Sequence, residues 1–271
     1  MSCNHSRLCH SSCRQKGWCL CYASRTSLTA FSIPSVKYIL LITSFILVAQ
    51  SAYAQKTEYS AHLTSGGLAY RGVSAVATTS IDLSGVAAGY GPRTGNVYGK
   101  RLGLSYGAGA QVQRITRKNS LLGVQAGYEV LRSRVNITHV DLHKIDEYSA
   151  QGRANLATHF VNIHPYYGHR FRVKGVELDV TAGPEVGLMR KSREHSQAIY
   201  DNGSRVTTDV EQGVRPKADV RARVNVTAYY QRVGLSVGYA HGVTNYRKGY
   251  LGGTNDLFTQ VFRAGLAYRF M

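Results

Sequence analysis

From Gln55 onward, apolar and polar residues alternate with a period of two, the signature of strands whose two faces meet different surroundings. Over Arg101–Gln113 one face reads Leu102, Leu104, Tyr106, Ala108, Ala110 and Val112, and the other is Gly, Ser and Gln. Over Leu122–Val130 the apolar face is Leu122, Val124, Ala126, Tyr128 and Val130, opposite Gly123, Gln125, Gly127 and Glu129. The same reading gives strands over Val161–Phe171, Val176–Leu188, Val220–Ala228, Val233–Val243 and Leu257–Phe270, with another starting near Thr57. The pattern therefore predicts eight strands.

The polar face decides between a soluble sandwich and a barrel in lipid. It carries Glu177, Asp179, Glu185, Arg221, Arg223 and Arg263 beside many glycines, while the apolar face is nearly unbroken. Strands of about 9–11 residues or more, apolar outside and polar inside, fit an eight-stranded antiparallel transmembrane β-barrel. Those six charges are then expected to pair across a narrow lumen. The connections alternate in length. Thr116–Ser120, Arg172–Gly175 and Gln231–Arg232 are tight, whereas Arg71–Lys100, Leu131–Leu156 and Arg190–Lys217 are long and Asn245–Asp256 is intermediate. Short periplasmic turns and long extracellular loops are the expectation for an outer-membrane barrel, and an even strand number puts both termini in the periplasm. Tyr59, Phe171, Tyr229, Tyr230, Tyr268 and Phe270 are expected in one interfacial belt, and Tyr98, Phe160, Tyr246 and Phe258 in the other. Phe262, Leu266, Tyr268 and Phe270 alternate to the end of the last strand and are the candidate signal for barrel-assembly machinery.

The first 54 residues read differently. Lys37, the apolar run Tyr38–Ala49 and Ala52-Tyr53-Ala54-Gln55 have the layout of a secretory signal peptide, with cleavage expected between Ala54 and Gln55. All five cysteines lie before residue 22, at spacings that match no zinc pattern. The expectation is that translation starts near Val36. Residues 1–35 are then an untranslated, non-structural extension, 36–54 the signal peptide and 55–271 the barrel domain.

The closing motifs resemble the small outer-membrane β-barrel proteins of the PorT-like kind. Leu104-Ser-Tyr-Gly-Ala-Gly-Ala-Gln-Val-Gln-Arg114, Asn162-Ile-His-Pro-Tyr-Tyr-Gly-His-Arg-Phe171, Ala182-Gly-Pro-Glu-Val-Gly187 and Gly265-Leu-Ala-Tyr-Arg-Phe270 carry the resemblance. It implies a location in the outer membrane of a Gram-negative bacterium, and no catalytic residues come with it. A structural or interaction role in the envelope, with the loops as contact surface, is the reading adopted.

The chain has 33 basic against 15 acidic residues, a net +18. The first 54 residues hold five of the cations and no acid, which leaves +13 for residues 55–271. With a secretion signal and charge spread over both barrel ends, nucleic acid is not an expected partner. Arg132, Arg134, Arg190 and Lys191 flank the outer strand ends and are candidate contacts for lipopolysaccharide phosphates. Weak fragments of enzyme chemistry also occur. His139 and His143, with Asp141, Asp146 and Glu147, have a spacing that on a helix could bind a metal. Glu194-His195-Ser196 echoes a nucleophile beside its base. Neither sets a site, so no catalytic residue, metal or cofactor is expected. A lipid-modifying outer-membrane enzyme (an acyl hydrolase or acyltransferase) and a narrow small-solute channel stay open as alternatives. The physiological protein partner is not legible.

Overall fold

The structure, a computed structural model, describes residues 56–84, 86, 91–143, 146–201, 203–212, 216–249 and 255–270. The expected signal peptide, its cleavage site at Ala54–Gln55 and the Cys-rich extension lie outside the described residues. Among the described residues there are eleven strands and no helix. Eight form a ring. They are β1 (Lys56–Arg71), β4 (Arg101–Ile115), β5 (Ser120–His143), β6 (Asp146–Val173), β7 (Val176–Tyr200), β9 (Ala218–Tyr230), β10 (Val233–Gly242) and β11 (Phe258–Arg269). Each pairs antiparallel with its neighbour in that order, and β1 closes the ring against β11 in a register that includes Leu63↔Leu266. Closure leaves no strand edge in the ring unpaired, which is the way an all-β chain removes its edges.

The three tight connections form where the sequence places them. Asn119, Lys174 and Gln231 adopt left-handed backbone at φ 59°, 46° and 54°. In the Lys174-Gly175 pair both residues have positive φ, the geometry that matches the twist of a two-residue hairpin.

Two of the expected long loops are strands instead. β5 and β6 stay paired from Arg132↔Ala157 up to His143↔Asp146. β7 continues to Tyr200 and returns as β8 (Arg205–Gln212), which pairs with β7 alone. The physical reason is an inversion of chemistry at constant parity. Along β5 the inward positions are Gly123, Gln125, Gly127 and Glu129, and then, on the same face, Leu131, Ser133, Val135 and Ile137. Above the ring the apolar residues turn inward and the polar ones outward, so the strand remains amphipathic and the backbone has no reason to leave the sheet.

The third expected loop, Arg71–Lys100, folds back over the ring. It contains β2 (Thr78–Asp82), parallel to β5, and the short β3 (Arg93–Thr94). Ile81 of β2 packs with Val135, Ile137, Val140, Ala150, Ala154 and Ala198 on the inner face of the extension. Nearer the ring, Leu68, Tyr70, Val97, Leu131, Phe160, Met189, Tyr246 and Val261 form a second apolar cluster, in which the rings of Tyr70, Tyr98 and Tyr246 meet edge to face. Phe160 and Tyr246 are therefore buried in this plug, not set in a lipid-facing belt. Tyr229 likewise points inward, beneath the Arg269 guanidinium at 3.9 Å.

Candidate functional site: a charged interior and a polar extension

Alternation puts every second residue of each ring strand inside, and there the charged side chains assemble in two tiers. In the tier nearer the tight turns, Arg170 donates to both Asp179 oxygens at 2.6 and 2.7 Å and to both Glu58 oxygens at 3.2 and 2.8 Å. Arg269 reaches Glu177 at 2.6 Å and Glu58 at 3.1 Å, and Lys56 lies 3.2 Å from Glu58. The upper tier centres on Glu185. Its carboxylate accepts from Arg221 at 2.8 Å, Arg263 at 2.9 Å and Arg223 at 2.7 Å. Arg263 also clasps Glu129 with two bonds of 2.8 Å, and Arg221 donates to Asp219 at 2.8 Å. The Tyr246 and Thr259 hydroxyls donate to the same Asp219 oxygen, Oδ2, at 2.9 Å each.

The structure thus places Glu177, Asp179, Glu185, Arg221, Arg223 and Arg263 inside, in two groups: Glu177 and Asp179 below, the other four above. Sequence reasoning puts Glu129, Arg170 and Asp219 on the polar face without naming them among the lumen charges, and misses Glu58 and Arg269. Parity was the available signal for Arg269, which shares the inward phase of Arg263 on β11; no face was read for β1, so Glu58 had no such signal. Each upper-tier charge is matched, three guanidiniums against three carboxylates, as a low-dielectric interior demands. Hollows of ≈20 Å³, lined by His62, Gln111, Gln125 and Asn225 among others, and ≈10 Å³, beside Glu129 and His164, lie within this packing. Each is on the scale of a water molecule.

Outside, the ring is apolar. Leu63, Leu104, Val124, Tyr167, Tyr230, Leu235, Val237 and Leu266 are each exposed, several by more than 60%. Phe262, Leu266 and Tyr268 of β11 and Phe270 just after it, the candidate assembly signal, are exposed on this outer side.

The candidate lipopolysaccharide contacts stand where the ring passes into the extension. Arg132 donates to the Leu104 carbonyl at 3.2 Å and lies over the Tyr106 ring at 4.9 Å. Arg134 is the next outward residue of β5. Lys191 sits opposite His159 and pairs with Glu211 at 3.2 Å, while Arg190 is exposed at the adjoining bulge. Higher up, Arg193 and Asp209 make a two-bond ion pair at 2.6 Å each. Arg193 holds the Asp209 carboxyl below its ordinary range, and Asp209 raises the guanidinium in turn.

The enzyme-like fragments come apart. His195 points outward while Glu194 and Ser196 are buried on the inner face, where Ser196 donates to Glu194 at 2.9 Å. His139 and His143 lie on a strand rather than a helix, and the side chains of His143, Asp146 and Glu147 lie outside the described residues. Among the described residues no three His, Cys, Asp or Glu side chains gather as metal ligands would.

No family model and no curated protein matches the sequence. Among solved structures, the chain is similar to Ail, the attachment invasion locus protein of Yersinia pestis, in complex with the heparin analogue sucrose octasulfate. That likeness has 9% identity and a TM-score of 0.31, over 80% of this chain and 100% of the other. Neisserial surface protein A is similar at 12% identity and a TM-score of 0.29, over 80% and 100% of the two chains. The N-terminal β-barrel domain of Pseudomonas aeruginosa OprF follows at 10% identity and 0.26, over 79% and 100%. These neighbours are small β-barrel proteins, and PorT-like proteins are not among them. At such TM-scores the likeness carries no inference about this chain, whose ring is established by its own strand pairing.

Proposed function

We propose that this chain is an outer-membrane β-barrel with a closed lumen, both termini in the periplasm, and a β-sheet extension that serves as its contact surface in the envelope. One observation carries the reading: the ring is inside out. Its outer wall is an apolar belt, and its inner wall holds carboxylates and guanidiniums in mutual pairs. In water this arrangement would expose large contiguous apolar area and bury charge with no solvent gain. In a bilayer both features are favourable, because an outward Arg or Lys at the midplane costs about 2–4 kcal/mol and an inward one does not.

Arg132, Arg134, Arg190 and Lys191 collect just above the apolar belt, the level at which lipopolysaccharide phosphates would lie. The PorT-like resemblance and recognition of β11 by assembly machinery belong to the same proposal. The structural role is favoured over the channel because paired side chains fill the interior and the Tyr70–Tyr98–Tyr246 plug covers one end. It is favoured over the lipid-modifying enzyme because His195 and Ser196 face opposite sides of β7.

The test is to fold residues 55–271 into phosphatidylcholine vesicles and compare boiled and unboiled migration on a gel, with circular dichroism alongside. A mobility shift with a strand spectrum is expected only when vesicles or detergent are present. A chain that folds in buffer and shows no shift overturns the proposal.

A further inference from the structure

Five guanidiniums inside the ring, with the exposed Lys56 beside Glu58, balance six carboxylates, so the surplus of 13 positive charges over residues 55–271 lies elsewhere. Part of it is organised on the outward face of the extension. The strand register sets Asn136, Arg153 and Gln197 side by side across β5, β6 and β7. The row below is Arg134, Asn155 and His195. Adjacent strands are about 5 Å apart and successive rows about 7 Å, so guanidinium, amide and imidazole groups alternate over a surface the size of two or three sugar rings.

That face is hollow. A depression of ≈1140 Å³ is lined by Arg153, Asn155, His195, Gln197 and Arg205, among others, and Asp201 is the one carboxylate in its lining. The neighbouring acids are already matched, Asp209 to Arg193 and Glu211 to Lys191. Among the described residues Arg134, Arg153 and Arg205 have no ion-pair partner. Planar amides supply the paired donors and acceptors that vicinal hydroxyls need, and guanidiniums supply two-point recognition of phosphate. The lining residues are mostly polar, with Ile137, Ile199 and Tyr200 the large apolar or aromatic members.

We infer that this hollow binds a phosphorylated oligosaccharide, the sugar core of the outer leaflet's own lipopolysaccharide. Continuity selects that source: the hollow rises directly from the Arg132–Lys191 collar, so a glycolipid whose phosphates meet the collar delivers its sugars to Arg153 and Arg205. The inference rests on the outer-membrane reading and on the extension facing outward.

The test uses residues 55–271 folded in detergent, with the gel shift recorded on the same sample, titrated calorimetrically with phosphorylated core oligosaccharide freed of lipid. Saturable binding is expected. Arg153→Gln with Arg205→Gln should weaken it about ten-fold or more. Arg117→Gln with Lys118→Gln, which removes the same charge at the turn end, should leave it unchanged. Gln197→Ala, which alters no charge, should weaken it measurably. Absence of saturable binding, equal loss in both charge variants, or inorganic polyphosphate binding as tightly as the oligosaccharide each overturns the inference. A chain with the gel shift but no oligosaccharide binding leaves the barrel reading standing, whereas a chain without the shift removes both. Whole lipopolysaccharide that binds equally well to the Arg153/Arg205 variant would place recognition at the collar alone, against this hollow.

Discussion

Glu185 is the keystone of the upper tier, and its removal gives a graded expectation. The carboxylate is fully buried and takes one charge-assisted bond from each of Arg221, Arg223 and Arg263. Glu185→Gln keeps the shape but leaves three guanidiniums facing two carboxylates, Glu129 and Asp219, and turns an amide N–H₂ toward donors. Breaking a buried pair from one side costs about 3–5 kcal/mol, and three partners put this change at the top of that range. The folding equilibrium then falls by roughly several thousandfold, at about 1.4 kcal/mol per factor of ten. The assay is urea titration of the chain in phosphatidylcholine vesicles, approached from folded and unfolded sides, with the unboiled gel band as the folded fraction. Glu185→Gln combined with Arg223→Gln restores neutrality, because Arg221 keeps Asp219 and Arg263 keeps Glu129. The double variant should therefore be more stable than the single. A single variant with the wild-type midpoint, or a double variant less stable than the single, would refute the charge-matching argument.

Other expectations test separate parts of the molecule. Stable openings in a planar bilayer should be absent for the wild type, since water-sized hollows are the space found between the tiers; ohmic single-channel steps would contradict a closed lumen. Gly72 has φ 108°, and a Cβ there would stand 2.3 Å from the Asp256 carbonyl, so Gly72→Val should cost about 1–3 kcal/mol of local strain. Proteolysis should then cut within residues 71–100 while the gel shift of the ring persists; an uncut chain would count against the plug. Lys174→Asn places a residue that tolerates positive φ in the two-residue turn and should stabilise the fold by about 0.5–1 kcal/mol, read as a higher urea midpoint. The Arg193–Asp209 pair contributes fully above the ordinary carboxyl value of 3.8 and is lost as pH falls through the lowered value of the folded state. Because the pair is exposed, the effect is confined to β8 and screened by salt. The protection of Arg205–Gln212 amides against exchange, relative to the unfolded chain at the same pH, should fall at low pH and not at neutral pH.

The ring was legible because its signal is redundant. Period-two alternation, glycines and charges on one face, and turns at Lys174-Gly175 and Gln231-Arg232 all point to the same eight strands. The extension was not, although its residues alternate as well. Along β5 the apolar set runs on even positions to Val130 and on odd positions from Leu131, and in β6 it changes phase again between Phe160 and Val161. Read as one strand, such a slip looks like the end of regular structure. Physically it marks the level at which the outer wall changes from apolar to polar while the inner wall changes from polar to apolar and packed. The interior pairing was half visible: parity could assign Arg170 and Glu129 to the inside, but which charge meets which depends on register around the whole ring. The Tyr70–Tyr98–Tyr246 plug was invisible, because nothing local shows that residues 71–100 return over the mouth.

The inside-out wall is tested most directly by lipid contact at paired positions. Residues 55–271 contain no cysteine, so single cysteines can be placed at Leu63, Val124 and Leu235 on the outer wall and at the adjacent inward Thr64, Gln125 and Ser236. Each is labelled with a small environment-sensitive fluorophore and folded into vesicles carrying brominated acyl chains. Strong quenching at the three outward sites and little at the three inward ones is the predicted result. Equal quenching at both sets, or outward sites that react freely with a water-soluble maleimide in the folded protein, would contradict it.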